Sequence, residues 1–352
     1  MSDGTVVRYR AASTTGRTGD DVSDLQQLLG GLYREFGPPK PMGASAPATD
    51  RPHFFLHRNF LGEQDLAILF NTKRCRYQCT FCALPAKSSR RWIPADAVTA
   101  QFEHVAGELR HSLGVLERVT IANEGSVFDE ATFPAEALTE IAGSLRKLPR
   151  VRRIVLETRL EFLRRERLDE LRELTGKQLN VLTGFETHDP SLREEILGKR
   201  QSLESFAGGL DEVAAAGAEL TAYVLFKPEP TMTDAEAFAE AEASIDHLQR
   251  ECERRAIPLQ VRLNPMYVAR GTVLARRVAE MDDYLPPRLS DVIELAERKR
   301  GEGVDVYLGL TSEGLSDDED TYRSREDFSR SLLKRGIIMN SEAGAVATAP
   351  AS

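Results

Sequence analysis

Short apolar runs recur along this chain at the spacing of strand–helix units, and that rhythm restricts the fold more than any other feature. "LAILF", "RVTIA", "RRIVLE", "LNVLTGF", "LTAYVLF" and "LQVRLN" each read as a strand, and "VDVYLGL" as a possible last one. Each is followed by a helical pattern. In the first, Val98, Phe102, Val105 and Leu109 recur at helical spacing, with Pro94 near the start. Further helices are expected at about 134–146, around Phe162, Leu168 and Leu171, at 190–197 and 203–216, through "DAEAFAEAEASIDHLQREC", and near 273–281 and 287–300. Near-continuous apolar strands joined by helices favour a parallel sheet with right-handed crossovers. Six such units suit a partial or full βα barrel, with a doubly wound open sheet as the competitor. In either fold, chemistry sits at the C-terminal strand ends. The polar residues there are Asn71, Asn123 and Glu124, Glu157 and Arg159, Glu186 and Thr187, Lys227, and Asn264.

The flanks read differently. Residues 1–60 form an expected extension and linker, partly disordered, containing a short helical pattern and the Pro/Ala/Ser segment "PPKPMGASAPATDRP". Residues 61–312 form the expected core, 313–340 a helical extension, and 341–352 a disordered tail. With 41% apolar and 29% charged residues the chain has an ordinary globular composition. It contains neither an 18-residue uncharged apolar run nor the apolar centre of a secretory signal. A cytoplasmic, non-membrane protein is expected. The net charge of −9 argues against a general nucleic-acid binder. Two basic stretches stand against that average. Thr72 to Trp92 carries Lys73, Arg74, Arg76, Lys87, Arg90 and Arg91 with no acid, and Leu145 to Leu168 is rich in arginine. They could meet phosphates, or form a solvated face balanced by acids elsewhere.

Three of the four cysteines stand in "NTKRCRYQCTFCALP", the segment leaving the first apolar strand. In a reducing compartment such clustering points to a metal. Zinc in a structural site takes four ligands. Here three thiols stand together, Cys252 is far off in a helical pattern, and nothing in the spacing of His53 or His57 demands a fourth ligand. An iron–sulfur cluster held by Cys75, Cys79 and Cys82 would keep one iron open to a small molecule, and nearby cations would offset its negative charge.

C-x3-C-x2-C, with Phe81 before the third cysteine and a βα-barrel pattern around it, resembles the radical S-adenosylmethionine (SAM) superfamily. "NEGSVFDEATFPAEAL", "VLETRLEFL", "GFETHDPSLREEILGKRQSLESF", "YVLFKPEPTMTDAEA", "LNPMYVARGTVL" and "YLPPRLSDVIELA" extend the resemblance to its elongator-subunit-3-like branch. Within that branch the chain looks most like the archaeosine synthase radical-SAM subunit. The match spans roughly residues 65–310. It departs at Leu160, where that branch has proline, and at "RLS" 288–290, where it has an aromatic pair.

The resemblance implies a (βα)6 TIM-like partial barrel, a [4Fe–4S] cluster on Cys75, Cys79 and Cys82, and SAM on the open iron. Reductive cleavage of SAM would yield a 5′-deoxyadenosyl radical that abstracts hydrogen from substrate. By position in the motifs, Tyr77 and Phe81 would line the adenine side. Asn123, Glu124, Gly125 and Ser126 would meet the SAM amino group. Glu157 would meet a ribose hydroxyl and Arg159 the carboxylate, with an ion pair bracing the barrel mouth as the structural alternative. Gly184 and Glu186 would let backbone approach the adenosyl group. Tyr223, Lys227 and Asn264 are substrate-side candidates if the strand phase holds. Cys252 reads as a buried helical thiol, with hydrogen donation the alternative, and His188 as a minor acid–base candidate. The expected substrate is a small molecule of nucleoside, sugar or amino-acid type, with flavodoxin or ferredoxin as electron donor. The alternatives are a tRNA-modifying lyase like the archaeosine synthase subunit and a non-catalytic metal-stabilised scaffold.

Overall fold

Eight strands form one sheet in the order in which they occur along the chain. The computed structural model describes residues 49–269, 271–310 and 330–342. Strand β1 (Phe54–Phe60) pairs antiparallel with β2 (Glu63–Phe70) through a tight turn at Leu61 and Gly62, both at positive φ. From β2 onward every pairing is parallel: β3 (Arg118–Asn123), β4 (Arg153–Glu157), β5 (Gln178–Glu186), β6 (Glu219–Phe226), β7 (Leu259–Pro265) and β8 (Asp305–Leu308). The six expected strands are β2 to β7, and the possible seventh is β8. Strand β1 lies in the segment assigned from sequence to the N-terminal extension. Its "FFLHRNF" holds Arg58 and Asn59, which break the apolar run. The expected short helix at 21–37, most of the Pro-rich linker and most of the tail lie outside the described residues.

Helices α1 (Leu84–Lys87), α2 (Ala95–Glu108), α3 (Ala135–Arg146), α4 (Arg165–Thr175), α5 (Leu203–Ala215), α6 (Asp234–Glu253), α7 (Val273–Ala279), α8 (Leu289–Gly301) and α9 (Arg330–Glu342) complete the elements. Phe162 stands in a separate 3₁₀ turn before α4, and residues 192–196 form a π-helical turn. The main core lies between the outer sheet face and the helices. Leu66, Ile68, Phe70, Val119, Ile121, Val181, Leu220, Val224, Val261 and Val306 meet α2 to α6 and α8 there.

The inner face carries charge that the apolar runs did not suggest. Alternation along each strand sends Arg58, Asp65, Arg118, Arg153, Glu219 and Arg262 inward with their neighbours. Arg58 reaches Asp65 (3.1 Å), and Arg153 joins Glu63 (2.6 Å) to Glu219 (2.9 Å) across the lumen. Curvature is shown by Phe60 of β1 and Tyr307 of β8. They stand at opposite ends of the strand order, yet their ring centroids are 4.8 Å apart. The sheet is therefore a curled partial barrel, and the doubly wound alternative is set aside. Its β8 edge is covered by α9. Asn340 accepts from Leu308 N (2.7 Å) and donates to Leu308 O (2.9 Å), doing the work of a neighbouring strand.

Candidate functional site

The cysteine loop leaves the C-terminal end of β2 and is tied down on three sides. Arg74 N donates to Ser89 O (2.8 Å), Thr80 N to Leu197 O (2.9 Å), and Leu274 N to Thr80 O (2.9 Å). Arg76 grips Asp129 with two hydrogen bonds (2.5 and 3.1 Å). So held, Cys75, Cys79 and Cys82 line a cavity of about 370 Å³ at the barrel mouth. Burial pushes the Cys82 thiol up to about 12 and raises Cys75 as well. Burial thus favours the neutral thiol at Cys75 and Cys82, and a bound metal would supply the charge that makes them thiolates. Among the described residues, no three His, Cys, Asp or Glu side chains converge as a single ion would require. Three cysteine thiols lining one cavity are a donor set that suits a [4Fe–4S] cluster. Cys252 does not close the set. It is buried in the core near the end of α6, a helix that returns towards the start of β7, opposite the cysteine loop.

Beside the cysteines stands the end of β3. Gly125 is pressed against the loop: a Cβ there would lie 3.5 Å from Cys75 Cα and 3.3 Å from Thr132 Oγ1. Asn123 donates to Thr72 Oγ1 (3.0 Å) and accepts from Gly125 N (3.2 Å). Glu124 is buried. One carboxylate oxygen accepts from Thr72 N and Oγ1 (both 3.3 Å), and the other meets His53 Nε2. Burial pushes its carboxyl up to about 8. Ser126 lies behind the cavity wall, where its hydroxyl accepts from Arg159 N (2.9 Å).

Glu157, Thr158 and Arg159 supply the next wall. Arg159 bonds Glu161 (2.5 Å) and the carbonyls of Lys199 (2.9 Å) and Arg200 (3.2 Å). Its guanidinium also lies 3.7 Å from the Tyr77 ring centroid, which ties the cysteine loop to the end of β4. Next comes a pair that sequence reading missed. Glu186 sits at a β-bulge with φ +71° and meets Lys199 Nζ at 3.1 Å, both side chains buried. Gly184 is needed for that pair, since a Cβ there would lie 2.8 Å from Lys199 Nζ and closer still to Glu186. Fully buried Arg193 holds the arrangement. It donates to the carbonyls of Phe185 and Thr187 (3.1 Å) on one side and to Gln201 O (2.6 Å) on the other.

Tyr77, Phe81, Asn123, Glu124, Gly125, Glu157, Arg159, Gly184, Glu186, Tyr223 and Asn264 thus share one cavity with the three cysteines. Lys227 is placed elsewhere. It has φ +64°, and its ammonium donates to Leu285 O (2.8 Å) outside the cavity lining. It lies one residue past the end of β6, where the backbone turns to positive φ and leaves the alternation that sends Tyr223 and Leu225 inward. His188 also faces away, with Ser244 (3.1 Å) and Glu240 (3.4 Å), and Glu240 raises its pKa. The residues missed from sequence are Lys199, Arg262, Tyr307, Met266 and Tyr267 on the cavity wall, and His53 behind Glu124. Alternation along β7 from Asn264 was the available signal for Arg262. Lys199 had none beyond its place in "LGKR".

Residues 71–241 match the family model described as the radical SAM superfamily. An uncharacterized protein of Methanocaldococcus jannaschii is 22% identical over 80% of this chain and 77% of its own length. Archaeosine synthase subunit beta of Thermococcus kodakarensis is 25% identical over 66% of this chain and 72% of its own. Among solved structures, a radical SAM methyltransferase from Sphaerobacter thermophilus covers 82% of each chain at 15% identity, with a TM-score of 0.49. The three-cysteine loop on the first parallel strand lies inside the matched span, and together they support a radical SAM superfamily enzyme with a [4Fe–4S] cluster and SAM as its cofactors.

Proposed function

We propose that this radical SAM enzyme abstracts hydrogen from a small-molecule biosynthetic substrate of nucleoside, sugar or amino-acid type. The observation that carries this is the single cavity in which the three cysteines face the inward side chains of β3 to β8. Cys75, Cys79 and Cys82 would hold the cluster, which would supply the electron for reductive cleavage of SAM. The protein's own residues position and enclose. Asn123 and Gly125 present the end of β3 to the amino-acid half of SAM, and Glu157, Gly184 and Glu186 present theirs to the adenosyl half. The Arg159–Tyr77 stack and the Arg76–Asp129 pair keep the cysteine loop over the mouth and water out. A flavodoxin or ferredoxin is the proposed electron donor. Arg90, Arg91 and Trp92 are exposed beside the cysteine loop, joined to it by the Lys73–Ser89 bridge, and offer an acidic partner a docking face.

The basic stretch at 145–168 supports the small-molecule reading. Arg153 and Arg159 turn to the lumen and the cavity, and Arg150, Arg152, Arg165 and Arg167 each have a carboxylate within 4 Å, which lowers the charge this stretch offers a phosphate backbone. A tRNA-modifying lyase is the second reading, favoured by the similarity to archaeosine synthase subunit beta. Anaerobic reconstitution tests the first reading. Four irons per chain and dithionite-dependent 5′-deoxyadenosine are expected, with deuterium gained from a labelled small substrate. A single bound zinc overturns the reading. Tight tRNA binding with a steep salt dependence transfers it to the second.

A further inference from the structure

Several polar side chains on the cavity wall are already engaged within the protein. Asn123 is bonded to Thr72 and Gly125, Glu124 to Thr72 and His53, Arg159 to Glu161 and two carbonyls, and Glu186 to Lys199. Asn264 is different. It lines the same cavity from the end of β7, half-buried, and among the described residues its carboxamide has no hydrogen-bond partner. One acceptor and two donors are left there for water or a ligand.

The neighbours seat this carboxamide without bonding to it. Asn264 is in register with Leu225 of β6, whose side chain is buried. Beyond the end of β8 stands Gly309, fixed by donation from its N to Leu263 O (2.9 Å). A Cβ at Gly309 would overlap Asn264 Oδ1 and lie 3.5 Å from Asn264 Cα. Gly309 is not at positive φ, so its backbone does not call for glycine; the space does. The glycine leaves the room that the carboxamide fills.

A polar group that loses its water when a ligand enters costs about 1–3 kcal/mol unless the ligand bonds to it. An amide without a protein partner on a pocket wall therefore rejects ligands that cannot answer it. Because a carboxamide is neutral, it gives an ion no special advantage. It pairs best, through two parallel hydrogen bonds, with a group that sets an N–H beside a C=O on one edge. A cyclic lactam and a primary carboxamide have that edge. A trans peptide group, whose N–H and C=O point in opposite directions, does not.

We infer that Asn264 is a specificity residue that reads a neutral amide edge, N–H beside C=O, on the small substrate, and that Gly309 keeps its place open. This rests on the radical SAM reading of the same cavity. The contact lies on the β7 side, across from the ends of β3 to β5 where the SAM contacts are proposed.

The test uses the full chain, reconstituted anaerobically and loaded with SAM. Calorimetric titrations compare 2-pyridone with N-methyl-2-pyridone, and benzamide with N,N-dimethylbenzamide. In each pair methylation removes the N–H and keeps the ring and the carbonyl. At least one parent compound is expected to bind about tenfold more tightly than its methylated partner, about 1.4 kcal/mol. A preference in the pyridone pair assigns a cyclic lactam, and one in the benzamide pair an open carboxamide. Asn264→Leu removes the amide and is expected to erase the preference, with cluster absorbance and SAM affinity retained. Gly309→Ala leaves Asn264 in the chain but displaces its carboxamide, and the same loss is expected; this variant decides if the leucine variant fails to fold. No binding or no preference in either pair, or a preference that survives both variants, overturns the assignment. A fall in SAM affinity in Asn264→Leu with the cluster intact also overturns it, since the amide then serves SAM rather than the substrate. Failure of the parent protein to load cluster or SAM overturns the radical SAM reading instead, and that failure is read from a separate signal.

Discussion

At the scale of single residues, Glu124 and Gly184 make opposite demands on their surroundings. Glu124 is a carboxyl kept from water, and burial raises it from 4.5 to about 8. The folded chain therefore holds a proton that the unfolded chain releases above pH about 4.5. This group's contribution to stability is greatest below that value and is lost as pH rises towards about 8, at no more than about 1.4 kcal/mol per unit. Thermal unfolding of the SAM-free protein is expected to shift to lower temperature over that window. Glu124→Gln, which cannot ionise, should flatten the shift; an unchanged slope would show that another group sets it. Gly184 matters for the space it leaves. Gly184→Ala places a methyl group against both Lys199 and Glu186, and the buried pair must part. SAM binding by the reconstituted protein is expected to weaken about tenfold, about 1.4 kcal/mol, with iron content unchanged.

At the scale of elements, two contacts decide how far the sheet can curl and where it ends. Helix α5 rests on the 3₁₀ turn at Leu160–Phe162 through Gly209, where a Cβ would lie 2.8 Å from Leu160 O. That close approach seats the turn carrying Arg159. Gly209→Ala is expected to cost about 1–3 kcal/mol, the usual range for overpacking, measured by denaturant unfolding. At the other end, Asn340 of α9 satisfies both backbone groups of Leu308 on the open β8 edge. Asn340→Leu keeps the size but leaves those groups without that partner. Greater aggregation on mild heating is expected, because an exposed strand edge pairs with other chains. Light scattering that matches the parent protein would show that α9 covers the edge by packing alone.

At the scale of the whole molecule, the barrel puts its apolar surface outside and its charges inside. Outer strand residues are covered by helices, so they form one core with them. The lumen is filled by arginines and carboxylates in mutual contact, and the cavity opens above them. Among the described residues no helix is long and apolar enough to cross a membrane. The net charge of −9 and the paired arginines give a surface that should hold RNA weakly. Filter binding of unmodified tRNA at about 0.15 M salt is expected to show no saturable complex.

Much of this was legible beforehand, for identifiable reasons. The strands β2 to β8 were visible because their outer faces supply unbroken apolar runs, and the cysteine loop because thiols are rare and their spacing is chemical. Strand β1 was hidden by Arg58, whose charge faces the lumen and is answered by Asp65. Lys227 was misplaced because the chain leaves β6 at Phe226 and turns to positive φ at Lys227, which alternation along the strand does not reveal. Lys199 and Arg193 lie in a loop whose order comes from buried hydrogen bonds to residues 185–187 and 201. The amino-acid sequence alone determined the periodicity, the three thiols and their place after a strand, since these depend on order along the chain. Only the tertiary structure decided which polar groups meet across the barrel. A rung such as Tyr223, Arg262 and Tyr307 joins residues separated by whole helices, and register between strands brings them together.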